Sequence, residues 1–453
     1  MDVLLISPNK EMFPPAYPLG VSYLAQTLRD HGHTAHVLDL IGEDDEISVV
    51  KKTIQDCKPG IIGFSIRNID NCQCNVSKLY YTIYKEFIDA AKEVSNVPLV
   101  LGGAGFSIFP GELLRYYDVE YGFVGEGEVS FLTFIERMEK GENFSGISGL
   151  AINRNGHVEI SRHRTDQDFA TLPIPRREEK FLDLYRPDGQ RWMNLQSKRG
   201  CDQKCIYCVY PYLEGCALRM READSIGREL EYLYGQLDVK QLSFVDGVFN
   251  APPGHALAIC QQMIERGVDM SWEAAFSPHP ECLPPELVAK LKQAGCSTAD
   301  FSGTDAASKV MLKNMRKSYS QEDLIESSKR CKAGGLKVIH SLLLGGPGET
   351  LDSVKESLEL MEKVEPDTLW VSMGIRIYPN TMVHKVALEE GVIGPDDNLL
   401  TPRFYLSPGV KDRDWRGIIQ EYRERYPHWA LTCLAENYSG WVSEIVKYAE
   451  VVQ

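Results

Sequence analysis

Short apolar runs alternate with longer amphipathic stretches over the first 140 residues. Four of these runs are rich in β-branched residues and are predicted to be strands, at 3–8, 36–40, 60–66 and 98–103. The stretches between them, such as 19–32 and 80–93, have the apolar spacing of helices. Continuous apolar strands separated by helices indicate a parallel sheet that is covered on both faces. The pattern therefore predicts a doubly wound α/β domain.

A second series of alternating strands and helices begins near residue 191. Its six candidate strands are at 193–198, 241–245, 270–276, 298–302, 337–344 and 368–377. Six such units predict an incomplete TIM-type barrel, (β/α)6, that is open on one side. The predicted segments are a first domain at 1–145, a Pro-rich linker at 146–190, the barrel at 191–383 and a small helical C-terminal region at 384–453.

Aromatic side chains are concentrated in the C-terminal region. They are Tyr405, Trp415, Tyr422, Tyr426, Trp429, Tyr438 and Trp441. We interpret them as packing anchors, because large aromatic side chains bury much apolar area. A lid over the open side of the barrel is the alternative.

Composition and charge narrow the classes of function. With 453 residues and 43% apolar content, the chain can form two or three domains. A net charge of −15 and the lack of a basic stripe argue against a nucleic-acid substrate. No apolar run is long enough for a transmembrane segment, and the N-terminus does not resemble a signal peptide, so a cytoplasmic protein is expected.

Three of the twelve cysteines form the densest chemical motif of the chain. Without a secretion signal, reduced thiols explain these cysteines better than disulfides do. Cys201, Cys205 and Cys208 lie in SKRGCDQKCIYCVYP, on the loop that leaves the first barrel strand. Three thiolates can hold one cubane cluster and leave its fourth iron without a protein ligand. The alternative is a structural zinc site with Cys216 as the fourth ligand.

This CxxxCxxC motif, with Tyr207 as the aromatic residue before the third cysteine, resembles the signature of the radical S-adenosylmethionine superfamily. The resemblance implies a [4Fe–4S] cluster whose open iron is chelated by S-adenosylmethionine. Reductive cleavage would then give a 5′-deoxyadenosyl radical. It also implies an electron donor such as flavodoxin or ferredoxin. The sequence LGGPGET at 344–350 recurs in the superfamily and suits a tight turn.

The same resemblance implies contacts with S-adenosylmethionine at the ends of three other barrel strands. Asp246 matches the position of an acceptor for the methionyl amine. Ser302, Gly303 and Arg376 match positions that touch the ribose, carboxylate or adenine. For Asp246 and Arg376, a strand-end salt bridge or cap is an open alternative.

The first domain resembles the Rossmann-like cobalamin-binding domains that precede the barrel in the cobalamin-dependent branch of this superfamily. The matching features are PPAYPLGVSYLAQTL at 14–28, GFSIR at 63–67, LGGAG at 101–105 and GFVGEGE at 122–128. Together with the barrel, the resemblance covers roughly residues 1–380. It implies that the chain binds cobalamin.

Cobalamin contacts are expected on the loops that follow the third, fourth and fifth strands. The residues are Ser65, Arg67, Asn68, Gly102, Gly103, Ala104, Glu126 and Gly127. Arg67 and Asn68 would face the lower side of the corrin. Gly102 and Gly103 would let the nucleotide tail lie against the backbone, where a Cβ would clash. Tight turns and helix caps are the alternative roles of these loops.

One feature of the cobalamin-binding family is missing. The D-x-H-x-x-G motif that supplies histidine to cobalt is replaced by SPNKEMF at 7–13, which contains no histidine. Base-off cobalamin without a protein ligand to cobalt is therefore expected. The alternative is a relic domain that binds nothing. The sequence DHGH at 30–33 has the wrong residue order and is interpreted as an exposed helix end.

The resemblance implies a methyltransferase that acts on an unactivated carbon or phosphorus. The deoxyadenosyl radical would remove a substrate hydrogen, and methylcobalamin would supply the methyl group. The alternative is a radical enzyme that transfers no methyl and catalyses a cyclisation, rearrangement or bond formation. A non-catalytic carrier is disfavoured by the three cysteines, and an RNA methylthiotransferase by the lack of a second three-cysteine domain. The substrate class stays open among small molecules, peptides and lipids.

Overall fold

The chain forms two units in the computed structural model, which describes residues 1–11, 16–163, 165, 169–186 and 189–452. The first unit comprises Met1–Asn71, Leu79–Arg186 and Tyr212–Gly215. The second comprises Cys72–Lys78, Pro187–Pro211 and Cys216–Gln453. The chain therefore enters the second unit once, for seven residues, long before the barrel begins.

The first unit alternates strands and helices as the apolar pattern predicts. Its strands are β1 (Asp2–Ser7), β2 (Thr34–Asp39), β3 (Ile61–Ser65), β4 (Leu99–Gly102), β5 (Tyr121–Phe123), β6 (Leu150–Arg154) and β7 (His157–Ile160). Its helices are α1 (Leu19–Asp30), α2 (Glu46–Cys57), α3 (Tyr80–Val94), α4 (Ala104–Ile108), α5 (Pro110–Tyr117) and α6 (Glu128–Lys140). Short 3₁₀ turns follow at Phe169–Thr171 and Glu179–Leu184.

The strand order β2-β1-β3-β4-β5-β6-β7 makes this sheet doubly wound. The first five strands are parallel. From β1 the chain moves to β2 on one side, and from β3 it moves to β4 on the other. The order thus reverses between β1 and β3, and ligands of such sheets bind at the carboxyl ends of the strands beside this point. The doubly wound prediction is confirmed.

Two further strands extend this sheet beyond the predicted domain. β6 and β7 form an antiparallel hairpin, and β6 pairs antiparallel with β5. The hairpin and the two 3₁₀ turns lie in the segment 146–190, where the sequence suggested a linker. This segment belongs to the first unit as far as Arg186. Burial of Phe169, Phe181 and Leu182 explains the difference, since apolar anchors hold this Pro-rich stretch in place. Arg164, 166–168 and 187–188 of the segment lie outside the described residues.

The second unit contains the barrel and the C-terminal region. Its strands are β8 (Arg191–Leu195), β9 (Lys198–Arg199), β10 (Arg219–Met220), β11 (Val239–Phe244), β12 (Ser271–Ala275), β13 (Cys296–Asp305), β14 (Lys337–Leu344), β15 (Thr368–Met373), β16 (Ile375–Arg376) and β17 (Phe404–Tyr405). Its barrel helices are α8 (Ala223–Gly235), α9 (Pro253–Glu265), α10 (Pro285–Gln293), α11 (Lys309–Asn314), α12 (Gln321–Ala333) and α13 (Leu351–Val364). The later helices are α14 (Met382–Glu389), α15 (Pro408–Lys411), α16 (Trp415–Arg425) and α17 (Tyr438–Val452). A short helix, α7 (Tyr210–Glu214), is divided between the two units. Two 3₁₀ turns complete the list, at Pro280–Cys282 and Thr432–Leu434.

Six parallel strands in the order β15-β14-β13-β12-β11-β8 form the barrel sheet. Strands β8 and β15 are its two edges, so the predicted open (β/α)6 barrel is confirmed. Two of the barrel helices begin at capping boxes in the sequence. Helix α12 starts at the capping box of Ser320 with Asp323, and α13 at that of Thr350 with Ser353. Of the helices in the described residues, none is long and apolar enough to cross a bilayer.

The C-terminal region covers one edge of the barrel sheet. Ala430 exchanges backbone hydrogen bonds with β15, accepting from Val371 at 2.9 Å and donating to Leu369 at 2.8 Å. Tyr426 and Trp429 stack beside this contact, with ring centroids 4.3 Å apart. Trp429 is fully buried. These aromatic residues are therefore packing anchors at an edge that would otherwise expose unpaired backbone groups.

The segment Cys72–Lys78, which we call the strap, is held by the C-terminal region. The Asn75 amide donates to the carbonyls of Thr432 at 3.0 Å and Ala435 at 2.7 Å. Val76 packs in a buried cluster with Trp441. Cys72 and Cys74 lie on the strap and are not joined in a disulfide. The strap is thus an integral part of the second unit.

Loss of the buried ion pair behind the first barrel strand should destabilise the protein strongly. Arg221 and Glu229 are paired at 2.6 Å and are 1% and 0% exposed. Replacing Glu229 with alanine leaves a buried cation, which should lower the free energy of unfolding by about 3–5 kcal/mol. Urea unfolding measures the change.

Glu231 supplies the matched control because it lies on the same helix. It pairs with Arg266 at 2.7 Å but is 60% exposed. Its replacement with alanine should change stability by only about 0–1 kcal/mol. Equal effects of Glu229→Ala and Glu231→Ala would contradict the role of the buried pair.

Candidate functional site

The cysteine loop follows the first barrel strand and is fixed at its start by a buried carboxylate. Asp246, which follows β11, is 4% exposed. It accepts hydrogen bonds from the Ser197 N–H at 2.7 Å, from the Ser197 hydroxyl, and from the Lys198 N–H at 3.1 Å. Gly200 then adopts a φ of +93°, which favours glycine, and leads into Cys201. Asp246 therefore sets where the loop begins.

Lys198 brings a second buried charge to this point. Its ammonium donates to the carbonyls of Phe249 and Ala251, each at 2.7 Å. Burial raises the pKa of Asp246, and the charge of Lys198 opposes that rise. Burial likewise lowers the pKa of Lys198, and Asp246 opposes it. The hydrogen bonds described for Asp246 serve the protein itself, as in the cap alternative, and a contact with the methionyl amine stays a prediction.

The three predicted cluster ligands lie on one loop but differ in exposure. Cys201 is buried, whereas Cys205 and Cys208 are partly exposed. The N–H of Cys208 donates to the carbonyl of Cys205 at 3.3 Å. Burial raises the pKa of the Cys208 thiol to about 12, and charge on Cys205 and Cys201 adds to the rise, while the Tyr210 N–H opposes it. The three thiols thus lie within eight residues of one loop and differ in how deeply each is buried.

This donor set fits an iron–sulfur cluster. Thiols that resist deprotonation when buried become thiolates when a metal supplies positive charge. Three cysteines suit a [4Fe–4S] cluster with one open iron. Among the described residues, no group of three or more His, Cys, Asp or Glu side chains is placed to hold a metal ion, so the fit rests on the chemistry and spacing of the three cysteines. Cys216, the fourth ligand of the zinc alternative, is exposed.

A hydrogen-bonded network borders the cysteine loop on the side of β13. The hydroxyl of Tyr207 donates to Asp305. Lys317 donates to the Tyr207 hydroxyl at 2.8 Å and to the Gly303 carbonyl at 2.7 Å. Burial raises the pKa of Tyr207 well above its usual range, and the Asp305 carboxylate adds to this. Tyr207 and Gly303, both predicted from the sequence, are therefore brought together by two residues that the sequence did not single out.

Ser302 and Gly303 lie near the end of β13, as predicted. The Ser302 N–H donates to Asp300 at 2.8 Å, and its carbonyl accepts from the Ser341 hydroxyl. Apart from its chain neighbours, none of the described residues has an atom within 4 Å of the place where a Cβ on Gly303 would be. The surface above Gly303 is therefore open to a ligand, and contact with S-adenosylmethionine stays a prediction.

Arg376 is anchored within the protein. Its side chain is buried and donates to the carbonyls of Ile377 and Leu399, each at 2.7 Å. The guanidinium also lies over the ring of Tyr378, 4.7 Å from its centroid. These hydrogen bonds to backbone carbonyls agree with the cap alternative, and a contact with the ribose, carboxylate or adenine of S-adenosylmethionine stays a prediction.

Glu273 and Asp300 are interior carboxylates that sequence analysis missed. They lie on the adjacent strands β12 and β13, where Ala275, two residues after Glu273, pairs with Asp300. Burial raises the pKa of Glu273 to about 8, the charge of Asp300 adds to the rise, and a hydrogen bond with Ser243 opposes it. A single acidic residue in a strand has no motif around it. Only the strand register shows that the two carboxylates are neighbours.

The LGGPGET turn is organised by a buried glutamate. Glu349 accepts hydrogen bonds from the N–H groups of Gly345 and Gly346, the latter at 3.1 Å. Burial raises the pKa of Glu349 to about 7, and these two N–H groups oppose the rise. The glutamate therefore holds the tight turn that leads into α13.

The loops predicted to contact cobalamin meet at the carboxyl edge of the first sheet. Ser65 pairs with Gly102 across β3 and β4. The space beside Gly102 is open, since no residue in the described part of the chain, its two neighbours aside, has an atom within 4 Å of a Cβ at that position. Gly103 has a φ of +95°, and a Cβ there would lie 2.6 Å from the Ile66 carbonyl oxygen. Gly102 thus leaves room for a ligand, whereas Gly103 is required by the turn itself.

The remaining predicted residues of this edge are accessible. Arg67 and Ala104 are exposed, and Asn68, Glu126 and Gly127 are partly exposed. The structure thus places the predicted residues on the three loops after β3, β4 and β5. Their contacts with cobalamin stay predictions.

Two buried polar atoms near this edge support a ligand with amide groups. Asn9, after β1, and Tyr84, on α3, are 4% and 2% exposed. Among the hydrogen bonds of the described residues, none is made by Asn9 Oδ1 or the Tyr84 hydroxyl. Buried polar groups normally have partners, and corrin side chains carry amides that could supply them. The part of the histidine-free loop at Met12–Pro15 lies outside the described residues.

Comparison with known families matches both halves of this architecture. The sequence profile of the B12 binding domain matches residues 12–135, and that of the Radical SAM superfamily matches residues 195–361. An uncharacterized methyltransferase of Pyrococcus horikoshii is 27% identical over 404 residues, which cover 87% of this chain and 84% of that protein. Tryptophan 2-C-methyltransferase of Streptomyces laurentii is 25% identical over 454 residues, covering 86% and 74%.

A solved structure shares the fold. The radical S-adenosylmethionine methyltransferase TsrM from Kitasatospora setae, with cobalamin and a [4Fe–4S] cluster bound, superposes with a TM-score of 0.83 and 22% identity over 94% of this chain and 90% of that one. The chain therefore combines a B12 binding domain with a Radical SAM domain, and it is similar over most of its length to relatives named as methyltransferases. The two profiles agree with the predicted cofactors, a [4Fe–4S] cluster, S-adenosylmethionine and cobalamin, and the names of the relatives agree with the predicted methyltransferase class.

The buried Glu349 should make stability depend on pH. The carboxyl has an ordinary pKa of 4.5 in the unfolded chain and about 7 in the folded one. The folded state therefore holds its proton longer, so this contribution is full below pH 4.5 and is lost as pH rises through 7. Relative to Glu349→Gln, the free energy of unfolding of the wild type should fall by about 2–3 kcal/mol between pH 5 and 8.

Urea unfolding of both proteins across this range measures the difference. Glutamine keeps an acceptor for the two N–H groups but does not titrate. Asp352→Asn, on the first turn of the same helix, is the control and should leave the pH profile unchanged. A constant difference between wild type and Glu349→Gln would contradict the prediction.

Proposed function

We propose that this enzyme transfers a methyl group to an unactivated carbon or phosphorus atom of a small molecule, with peptides and lipids as further substrate classes. One observation carries the proposal. A single chain has three thiols on the first loop of a radical S-adenosylmethionine barrel and open, glycine-lined loops at the carboxyl edge of a cobalamin-binding sheet. A carrier of cobalamin alone has no use for the thiols.

In this proposal Cys201, Cys205 and Cys208 hold the cluster. Asp246 keeps the entry of their loop in place through Ser197. Buried charges positioned in this way need no rearrangement when a ligand arrives, which is the basis of electrostatic preorganisation.

The open surface beside Gly303 supports binding of S-adenosylmethionine next to the cluster. The network of Tyr207, Asp305 and Lys317 forms one border of this surface. Two features of the first sheet support cobalamin binding. The space beside Gly102, at the end of β4, is open, and the polar residue Asn68, after β3, is partly exposed.

When bound, the cofactors supply a deoxyadenosyl radical and a transferable methyl group, chemistry that no side chain offers. An external electron donor such as flavodoxin or ferredoxin would supply the reducing electron. The interior carboxylates Glu273 and Asp300 make the barrel lumen suited to a polar substrate. A relative named for methylation of tryptophan supports a substrate of small-molecule size.

Methyl transfer predicts two products from S-adenosylmethionine. One molecule is the radical source and a second is the methyl donor, so deoxyadenosine and S-adenosylhomocysteine should form in near-equal amounts once uncoupled cleavage is subtracted. Purified holoenzyme would be incubated with reductant, deuterated-methyl S-adenosylmethionine and a small-metabolite extract that includes L-tryptophan. Mass spectrometry should find a product that carries the deuterated methyl group.

The control is the triple variant Cys201→Ala, Cys205→Ala and Cys208→Ala, which should bind no cluster and form no deoxyadenosine. Deoxyadenosine without S-adenosylhomocysteine, and without deuterium in any product, would refute methyl transfer while leaving the radical assignment intact. Iron retained by the triple variant would refute the cluster assignment.

Cobalamin should bind base-off and without a nitrogen ligand from the protein. The loop 7–13 contains no histidine, and the space beside Gly102 is open for the displaced nucleotide tail. Electron paramagnetic resonance of the cob(II)alamin form should show no nitrogen superhyperfine splitting. Splitting from an axial nitrogen would contradict this, and failure to bind any cobalamin would favour the relic alternative.

A further inference from the structure

A buried lysine lies against a predicted cluster ligand. The Lys317 side chain is 2% exposed, and its ammonium nitrogen is 3.4 Å from the sulfur of Cys205. Lysine is almost never fully buried unless its charge is paired or hydrogen-bonded. The contact with sulfur is therefore one that the surrounding structure must stabilise.

The local chain holds Lys317 in this place. Helix α11 ends at Asn314, and Arg316 takes a left-handed φ of +58°. The N–H of Lys317 then donates to the carbonyl of Leu312 at 2.9 Å, which closes the turn. This turn directs the side chain from the end of a helix back toward the cysteine loop.

Three oxygen atoms fix the ammonium group itself. It donates to the Gly303 carbonyl at 2.7 Å and to the Tyr207 hydroxyl at 2.8 Å. The carboxylate of Asp305 is 3.6 Å away, and Ser341 donates to its other oxygen at 2.9 Å. The positive charge is therefore held at a defined distance from the sulfur rather than placed there by chance.

Of these groups, Lys317 alone is a cation directed at a cluster ligand. Lys198, the other buried lysine near the loop, donates to the carbonyls of Phe249 and Ala251. Asp246 acts on the start of the loop. The two lysines thus have different roles, one bound to the backbone of the barrel and one bound to a thiol.

We infer that Lys317 donates a charge-assisted hydrogen bond to the Cys205 thiolate and thereby raises the reduction potential of the [4Fe–4S] cluster. Reduction adds one negative charge to a cluster. A nearby cation stabilises the reduced form more than the oxidised form, and hydrogen bonds to cluster sulfurs are one of the determinants of the potential. Lys317 is in this role a positioning residue, because it acts through a cluster ligand. The inference rests on the proposed function, since it requires the cluster.

The test is an electrochemical titration of the reconstituted full-length enzyme, monitored by electron paramagnetic resonance. Lys317→Met keeps much of the side-chain length and removes the charge. Its equilibrium constant for one-electron reduction should fall about tenfold, which corresponds to a potential about 59 mV lower. Lys317→Arg, which retains a cationic donor, should recover most of this loss.

Lys313→Met is the matched control. It removes the same charge from a position four residues earlier, in the last turn of α11, but Lys313 is exposed, so solvent screens its field. Its potential should equal that of the wild type. A purely structural role of Lys317 would change cluster content and leave the potential of the assembled cluster unchanged.

Asp305→Asn tests the inference with the opposite sign and serves if Lys317→Met fails to assemble. Removal of the counter-charge leaves more of the lysine field on Cys205, so the potential should rise. An unchanged or lower potential in Asp305→Asn would overturn the inference, as would a Lys317→Met potential equal to that of Lys313→Met. Wild-type enzyme that binds no iron would instead refute the proposed function, so the two failures are distinguishable.

Discussion

The buried carboxylate of Asp246 is the interaction on which the candidate site depends. A loop that must present three thiols has little regular structure of its own, so its position is decided at its two ends. Asp246 binds the first end through Ser197 and Lys198. Asp246 directly follows β11, and β11 is paired with β8, the strand that precedes the loop. The register of these two strands therefore fixes where the loop begins. Burial makes this carboxylate costly, and its hydrogen bonds offset the cost.

Much of the fold could be predicted because parallel strands leave a strong pattern. A strand that is buried on both faces is apolar along its whole length, and the predicted runs overlap every parallel strand of both sheets except the three-residue β5. The glycine-containing loops and the cysteine motif could be recognised equally well, because each is contiguous in sequence. The site residues that these loops contain were therefore placed on the correct strand ends.

Residues that contact the site but lie far from its motifs in sequence could not be predicted. Lys317 is more than one hundred positions from Cys205, and nothing around it distinguishes it from the exposed Lys313. Glu273 and Asp300 become neighbours only through strand register. The hairpin β6–β7 was mistaken for part of a linker because its strands are short and half exposed. Asp246 and Arg376 were singled out from the sequence and are buried in the structure. Whether a ligand contacts them depends on geometry that the sequence does not give.

The strap gives the chain an unusual order of assembly. Asn75 and Val76 are made early in synthesis, whereas their partners Thr432 and Trp441 are made more than 350 residues later. Domains generally fold from the N-terminus as they emerge. The N-terminal sheet can therefore form before the seven residues of the strap, which interrupt its unit in sequence, have their binding partners. An enzyme truncated before residue 430 would keep all the sequence motifs for its cofactors. It would still lack Thr432 and Trp441, the binding partners of the strap, which follows the loop after β3.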